Sequence, residues 1–225
     1  MRQRGTALAV ALGLAMAGLA CSSSEKNVVN QYFTALRAND QGTLTSFAMV
    51  AFDQTVDDWS VVSVSPGTKI PVTLPDLVKK QKDLEAQQAA NKKEYQAWGN
   101  DLAVYPKLDQ VREARAKNAK LSAALQPIAE KYDAFLAKDR ELKKAVAEAK
   151  DAVEREKRNV ALSVGQVEDV ETLGGEMSAK DVDVNLTING QVKLYVMTLR
   201  KYELTGGTGP RMISRWVVQS LVPKG

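Results

Sequence analysis

The feature that most constrains the fold of this chain is a long run of residues at alternating spacings of three and four. Most members of the run are apolar, and they are Val111, Ala114, Asn118, Leu121, Leu125, Ile128, Tyr132, Phe135, Asp139, Leu142, Val146, Ala149, Val153, Glu156 and Val160. This spacing is a heptad seam, which aligns its members along one side of a helix. Because an apolar helix side must be covered, the run predicts a helical pair.

The stretch upstream of the seam is predicted to supply the second helix. It begins with a capping-box pattern, in which Thr73 caps the helix and Asp76 favours its positive end. Seam spacing then continues with a mixture of apolar residues (Leu77, Leu84, Tyr95, Trp98, Leu102 and Tyr105) and polar residues (Gln81, Gln88 and Asn91). We therefore expect a helix that pairs more weakly than the seam itself.

Residues 73–160 are predicted to form an inserted antiparallel helical hairpin with coiled-coil packing. Residues 99–101 and Pro106 offer places for the chain to turn, and Pro127 is expected to kink or break the second helix. A helix of about 30 residues extends about 45 Å, so this arm is long relative to the rest of the chain. A parallel oligomer that pairs through the seam is the alternative.

The segments on either side of the insertion contain short helices and strands. Apolar spacing predicts helices over residues 27–38 and 43–51, and alternation predicts strands over 59–65, 182–188 and 212–222. Asn189-Gly190 after the middle strand is a strong hairpin signal. A two-residue turn there sets Ile188 opposite Gln191, Val184 opposite Tyr195 and Val182 opposite Met197.

Together these patterns predict an α+β fold with N-terminal helices and an antiparallel sheet. The long helical hairpin follows the first strand. The body is predicted to consist of residues 27–72 and 161–225, which the insertion at 73–160 divides.

The N-terminus has the pattern of a secretion signal. Arg2 and Arg4 precede an uncharged run over residues 6–20, which is too short to span a bilayer and ends directly before Cys21. This arrangement resembles the bacterial lipobox, although Gly18 stands where that motif usually has Leu. The resemblance implies that residues 1–20 are removed and that Cys21 is lipidated; an ordinary signal peptide with a chance cysteine is the alternative.

Lipidation would fix the chain to a membrane close to its folded part. Two or three acyl chains anchor a protein durably, whereas one anchors it reversibly. Residues 21–26 are predicted to be a short lipidated tether. By resemblance to the enterobacterial sorting rule, Ser22 directs the protein to the outer membrane. The expected location is therefore the cell envelope, at the periplasmic face of that membrane.

The composition excludes several kinds of chemistry. The chain has no histidine, and its single cysteine is assigned to lipid, so Ser-His and Cys-His nucleophiles and most zinc sites are excluded. Asp53, Asp57 and Asp58 are acidic neighbours of a predicted strand, and we interpret them as a solvated turn. We expect no catalytic residue, no metal and no cofactor, and therefore not an enzyme.

The charge of the chain also argues against a nucleic-acid partner. Removal of Arg2 and Arg4 would leave 29 basic and 27 acidic residues, so the remaining chain is almost neutral. The basic residues alternate with acidic ones and form no continuous basic face.

A family resemblance appears in the body. Residues 28–40, with the sequence VVNQYFTALRAND, and the closing strand around Arg215, Trp216, Val217 and Val218 resemble NTF2-like (cystatin-like) domains of bacterial lipoproteins. The resemblance implies helices on the concave side of a curved sheet. Enzymatic relatives use Asp, His or Tyr within this cone, but the present chain has no matching set, so no catalytic residue is carried over.

Three functions are consistent with these observations. The first is a non-enzymatic envelope lipoprotein whose arm, residues 76–160, contacts another envelope protein or the cell wall. The second is a chaperone-like or transport adaptor, because a mildly cationic arm with 19 Lys/Arg and 15 Asp/Glu resembles periplasmic holdases. The third is a small-ligand binder or enzyme that uses the cone of the sheet.

Overall fold

The computed structural model describes residues 24–206 and 214–225 and has an α+β fold. Its elements are α1 (Ser24–Arg37), α2 (Gln41–Phe47), β1 (Asp58–Val64), β2 (Thr68–Pro71), α3 (Leu74–Gly99), α4 (Tyr105–Ala116), α5 (Gln126–Val164), a 3₁₀ turn (Val170–Thr172), β3 (Gly174–Ile188), β4 (Gln191–Thr205) and β5 (Val217–Pro223). The predicted signal, Cys21 and residues 212–213 of the last predicted strand lie outside the described residues. The predicted fold class, helices on an antiparallel sheet with an inserted helical hairpin, is confirmed.

The sheet has the strand order β1-β3-β4-β5, and β2 also pairs with β3. β1 and β2 lie end to end along β3 and together form one edge strand that is interrupted at residues 65–67. At this interruption Gly67 has a φ of +84°, and a Cβ there would lie 2.9 Å from the Ala179 carbonyl oxygen. Sequence patterning did not predict β2, because it is short and ends in a proline.

The β3–β4 hairpin has the predicted register. Asn189 and Gly190 have φ values of 51° and 73°, as a type I′ turn requires. The predicted pairs, Ile188 with Gln191, Val184 with Tyr195 and Val182 with Met197, are all present. Both strands are 15 residues long, so the hairpin extends well beyond the predicted strand.

The register also places two apolar clusters on opposite faces of this hairpin. Lys180 pairs with Leu199 and Ala179 with Arg200, and adjacent pairs face opposite sides of a sheet. On the Lys180 face lies the body core, with buried residues Val29, Tyr32, Phe33, Ala35, Leu44, Phe47, Val56, Val182, Val184, Leu186, Ile188, Tyr195, Met197, Leu199, Trp216 and Val218. On the Arg200 face lies the root core, with Val72, Leu74, Val78, Val153, Val160, Met177, Tyr202 and Leu204.

The arm is an antiparallel pair of α3 and α5, with α4 packed at its far end. Lys150 Nζ lies 3.2 Å from Glu85 Oε1, and the ring centroids of Tyr95 and Phe135 are 5.6 Å apart. The buried side of α5 contains seven seam residues: Phe135, Leu142, Val146, Ala149, Val153, Glu156 and Val160. The described part of the seam on α5 is therefore covered by α3 of the same chain, as an antiparallel hairpin requires.

Three local expectations are corrected. α1 begins at Ser24, so the end of the predicted tether is helical. Thr73 makes no side-chain cap; its hydroxyl donates to Glu156 Oε1 at 3.2 Å instead. Residues 117–125 interrupt the seam, because Asn118 adopts a left-handed φ of 50° and Pro127 falls in the first turn of a new helix.

Candidate functional site

The concave side of the sheet is filled by the protein's own side chains. Tyr32 and Phe33 on α1 have no exposed surface, and Trp216 before β5 is buried beside them. Tyr32 donates from its hydroxyl to the Val50 carbonyl at 3.1 Å, and burial raises the pKa of Tyr32 to about 12. Among the described residues this face therefore offers packing and not an open ligand cone.

The three acidic residues near β1 lie at the surface and do not share a pocket. Asp53, Asp57 and Asp58 are all exposed. Asp57 accepts a hydrogen bond from the Gly190 backbone N–H at 3.3 Å and so supports the β3–β4 turn. Its position fits the interpretation of a solvated turn.

A buried carboxylate joins the arm to the body. Glu156 on α5 is 5% exposed and accepts hydrogen bonds from the Tyr202 hydroxyl at 2.9 Å and the Asn159 amide at 3.2 Å. Thr73 and Arg200 donate to the same carboxylate at 3.2 and 3.5 Å. These four donors come from the residue directly before α3, from α5 and from β4, so the network fixes both arm helices to the sheet.

The environment of Tyr202 determines the protonation state of its phenol. Burial raises the pKa of Tyr202, and the adjacent charge of Glu156 raises it further. The phenol is thus held in its neutral form, in which it can donate to the carboxylate. Neither partner is open to a substrate, so the network holds structure together instead of performing chemistry.

Arg215 forms a second connection between the arm and the body. Its guanidinium donates to the Leu162 carbonyl at 2.8 Å and to the Ser46 carbonyl at 2.6 Å, which links the end of α5 to α2. The Ser163 hydroxyl donates to the Arg215 carbonyl at 2.8 Å. The base of the arm is therefore tied to the body on two sides.

Aromatic and cationic side chains fill the far half of the arm. Tyr95, Trp98, Tyr132 and Phe135 form a cluster with centroid separations of 5.4 to 6.3 Å. Lys131 Nζ lies 5.4 Å from the Trp98 ring centroid, and such cation–π contacts favour a fixed arrangement. The helices are thus held together by side chains far from the body.

Apolar side chains are nevertheless exposed at the tip of the arm. Leu102, in the loop between α3 and α4, is 92% exposed, and Tyr105 at the start of α4 is 52% exposed. Single exposed apolar residues are common, but two within four positions at the end of the arm form a small contact surface. We call Leu102 and Tyr105 the tip pair.

A cavity of about 480 Å³ opens between α3 and α5 in the middle of the arm. Its walls include Asn91, Tyr95, Phe135 and Leu136. It lies where α3 carries polar residues at seam positions, so the helices cannot close on one another. From the sequence, the polar seam residues of α3 predicted only that this helix pairs weakly. The same residues are the sequence signal from which the cavity could have been predicted.

A wider cleft of about 790 Å³ lies between α5 and the body. Arg155, Lys157 and Arg158 line it together with Asp151 and Glu154, and Lys157 lies 2.5 Å from Glu171. The opposite charges largely compensate each other, so the cleft has no strong preference for an anion.

The described residues contain no group of three metal-ligating side chains. No helix in the described part of the chain has the length and apolar character needed to cross a bilayer. Comparisons with protein-family models, with curated proteins and with solved structures found no significant match.

Proposed function

We propose that this chain is a non-enzymatic cell-envelope lipoprotein that uses its helical arm to contact another envelope protein. Cys21 carries the lipid and places the body at a membrane surface, for which the periplasmic face of an outer membrane is the proposed site. The body is proposed to be an NTF2-like domain, and the packing of α1 and α2 on one face of the sheet supports this resemblance. No cofactor is part of the proposal.

The observation that carries the proposal is the combination of a fixed arm base and an exposed arm tip. The Glu156 network and Arg215 hold the base, and the seam is filled by the chain's own residues. The tip pair follows α3, whose 26 residues extend about 39 Å at 1.5 Å per residue. The arm can therefore present the tip pair far from the body.

The start of α1 supports a body that lies close to the lipid. Ser24 is three residues after Cys21 in the sequence and already contacts the body, because its Oγ accepts a hydrogen bond from Trp216 Nε1 at 3.1 Å. Three residues of extended chain span at most about 11 Å. Because the body is held this close to the membrane, we propose that the long arm is the element that reaches a partner located away from the body.

The chaperone-like alternative receives less support. A holdase grips clients with exposed apolar arm surfaces, but the α5 seam is largely buried against α3. The tip pair and Leu136 are the large apolar residues of the arm that are exposed in the described part of the chain. Their small total area favours one specific contact over broad client binding.

A photo-cross-linking residue at position 102 tests the proposed contact in cells. We expect one discrete adduct with an envelope protein, and we expect Tyr105→Ser in the same chain to weaken it. Val192 on the body is 66% exposed and provides the matched control position. Absence of an adduct at 102, or the same adducts from both positions, would overturn the proposal.

Cys21→Ala should separately move the chain out of the membrane fraction.

A further inference from the structure

A pocket of about 460 Å³ lies where the base of the arm meets α2. Its walls come from α2, from the segment that follows α2 and from the last two turns of α5. Most of the residues that line it are apolar, and these are Leu44, Ala48, Met49, Val50, Ala51 and Leu162. The pocket therefore offers an apolar interior to a small molecule.

Hydrogen bonds hold the walls of this pocket in place. Arg215 donates to the Ser46 carbonyl on α2 at 2.6 Å and to the Leu162 carbonyl on α5 at 2.8 Å, which fixes the distance between the two helices. The Tyr32 hydroxyl donates to the Val50 carbonyl at 3.1 Å and fixes the segment after α2. The pocket is thus formed before any ligand binds, as is usual for small-molecule sites.

Arg158 on α5 is the one charged residue among the described residues that line the pocket. It stands at the boundary with the wider cleft, and the carboxylates of that cleft do not line the pocket. Glu154, one turn away on α5, lies 3.4 Å from Lys157, and Arg158 forms no ion pair with any described residue. Its guanidinium is therefore open to an anion, and guanidinium groups bind carboxylates and phosphates through paired hydrogen bonds.

Apolar walls with one free cation are complementary to an acyl chain that ends in an anionic group. A neutral ligand would use only the walls, and a cationic ligand would be repelled by Arg158. A hydrophilic anion such as inorganic phosphate would use only Arg158, because the gain from burying apolar surface requires an apolar ligand. A chain with an anionic end uses both parts of the pocket.

We propose that this pocket binds one acyl chain with an anionic end, with the chain against α2 and the carboxylate or phosphate on Arg158. The volume lies within the usual range of small-molecule sites. Arg215 at the pocket is followed by Trp216, which donates to Ser24 Oγ at 3.1 Å, so the pocket lies near the point where the chain reaches Cys21. A membrane as the source of the ligand rests on the proposed lipid anchor, whereas the affinity for the acyl anion does not.

The purified lipoprotein in nanodiscs of phosphatidylcholine provides the test. The probe is decanoate with a diazirine at the end of its chain, and mass spectrometry of peptides locates the label. We expect labelling within residues 41–51 or at Leu162, and we expect decanoate but not decyltrimethylammonium to compete. Labelling spread evenly over the chain, or competition by both compounds, would overturn the proposal.

The Arg158→Gln variant tests the cation. It should lower labelling about tenfold, because the charge-assisted hydrogen bonds to the anion are lost. Arg155→Gln makes the same change at an exposed residue of the wider cleft and should leave labelling unchanged. Full labelling of Arg158→Gln would overturn the assignment.

The Ala51→Phe variant tests the apolar interior. Ala51 is exposed at the pocket wall, so the larger side chain can be accommodated without changing the core. It should block labelling although Arg158 is intact. Unchanged labelling would show that the acyl chain does not enter the pocket.

A diazirine-bearing phosphatidylglycerol in the nanodisc distinguishes the two sources of the acyl anion. Labelling of the pocket by this lipid assigns a membrane phospholipid, and labelling by decanoate alone assigns a free fatty acid. Labelling by neither, together with a cross-link at position 102, would reject the pocket alone. Labelling without that cross-link would reject the proposed contact at the tip alone.

Discussion

At the residue scale, Glu156 is one of the two side chains that connect the arm to the body, and Arg215 is the other. Glu156 occupies a seam position, where a carboxylate weakens a coiled coil that has no matching donor. Here donors from the start of α3, from α5 and from β4 surround it, and Arg200 compensates its charge. Heptad counting finds the position, but the three-dimensional structure is needed to explain the residue type.

Glu156→Ala should lower the free energy of unfolding by about 2–4 kcal/mol, because it leaves Arg200 and the buried Tyr202 hydroxyl without their acceptor. Urea unfolding followed by circular dichroism measures this change. Glu154→Ala, an exposed change two residues earlier on α5, should stay within about 0.5 kcal/mol. Equal effects of the two substitutions would show that the network does not stabilise the fold.

Glu25 provides a pH-dependent contribution at the start of α1. Burial disfavours its charged form, but the hydrogen bond and charge of Lys180, 2.6 Å away, outweigh burial and hold the pKa of Glu25 below its ordinary 4.5. A lowered folded-state pKa stabilises the fold above the unfolded pKa, and the contribution is lost as the pH falls through the folded value.

Glu25→Gln should therefore destabilise the chain at pH 7 and approach the parent in stability as the pH falls below 4.5. Urea midpoints of both chains between pH 7 and pH 3 measure the difference. A constant difference over this range would show that the Glu25–Lys180 pair is not responsible.

At the scale of the elements, the helices of the arm begin and end where local chemistry predicts. Proline lies in the first turn of α3, α4 and α5, where its missing N–H has no helical partner. α5 ends at Gly165, which has φ 88° and ψ −171°. L-residues rarely adopt this conformation, so the glycine fixes the direction in which the chain leaves the arm.

Gly165→Ala should cost about 1–3 kcal/mol through backbone strain alone, because a Cβ at this position meets nothing within 4 Å. Gly42→Ala in α2 is the matched control: its φ is not positive, and its Cβ would make an ordinary 3.5 Å contact with Asp40. Thermal unfolding of the two variants compares them. A neutral Gly165→Ala would show that this end of α5 relaxes.

At the scale of the whole molecule, the insertion is structurally part of the body at its base. Val72, Leu74, Val153 and Val160 from the arm and its entry segment share the root core with β-strand residues. Removal of the entire insertion would expose the strand side of this cluster. Removal of the far half alone would leave it covered.

Replacement of residues 86–149 by a short glycine-rich loop should therefore give a chain that unfolds cooperatively, because Glu85 and Lys150 already face each other at 3.2 Å. Deletion of residues 76–160 should instead expose Met177, Tyr202 and Leu204 and bind a hydrophobic dye. Dye fluorescence and gel filtration distinguish the two chains. A well-folded full deletion would show that the root core is dispensable.

The sequence by itself determined the features that depend on neighbours along the chain. The heptad spacing specified the buried side of α5, and Asn189-Gly190 specified the hairpin register, since helix periodicity and turn chemistry act over a few residues. The same local reasoning identified the α+β class, whereas the position of α1 on the sheet was implied by the family resemblance. It also found the polar seam positions of α3, although not the cavity beside them.

Only the tertiary structure decided which distant groups meet. Thr73 and Glu156 are 83 residues apart, and Tyr202 and Glu156 are 46 apart, so neither hydrogen bond has a local signal. β2 is held by its pairing with β3, not by its own composition. Different helices pack on the two faces of the β3–β4 hairpin. Strand pairing fixes the face on which each side chain lies, but whether that face is buried depends on which helices the rest of the chain packs against it.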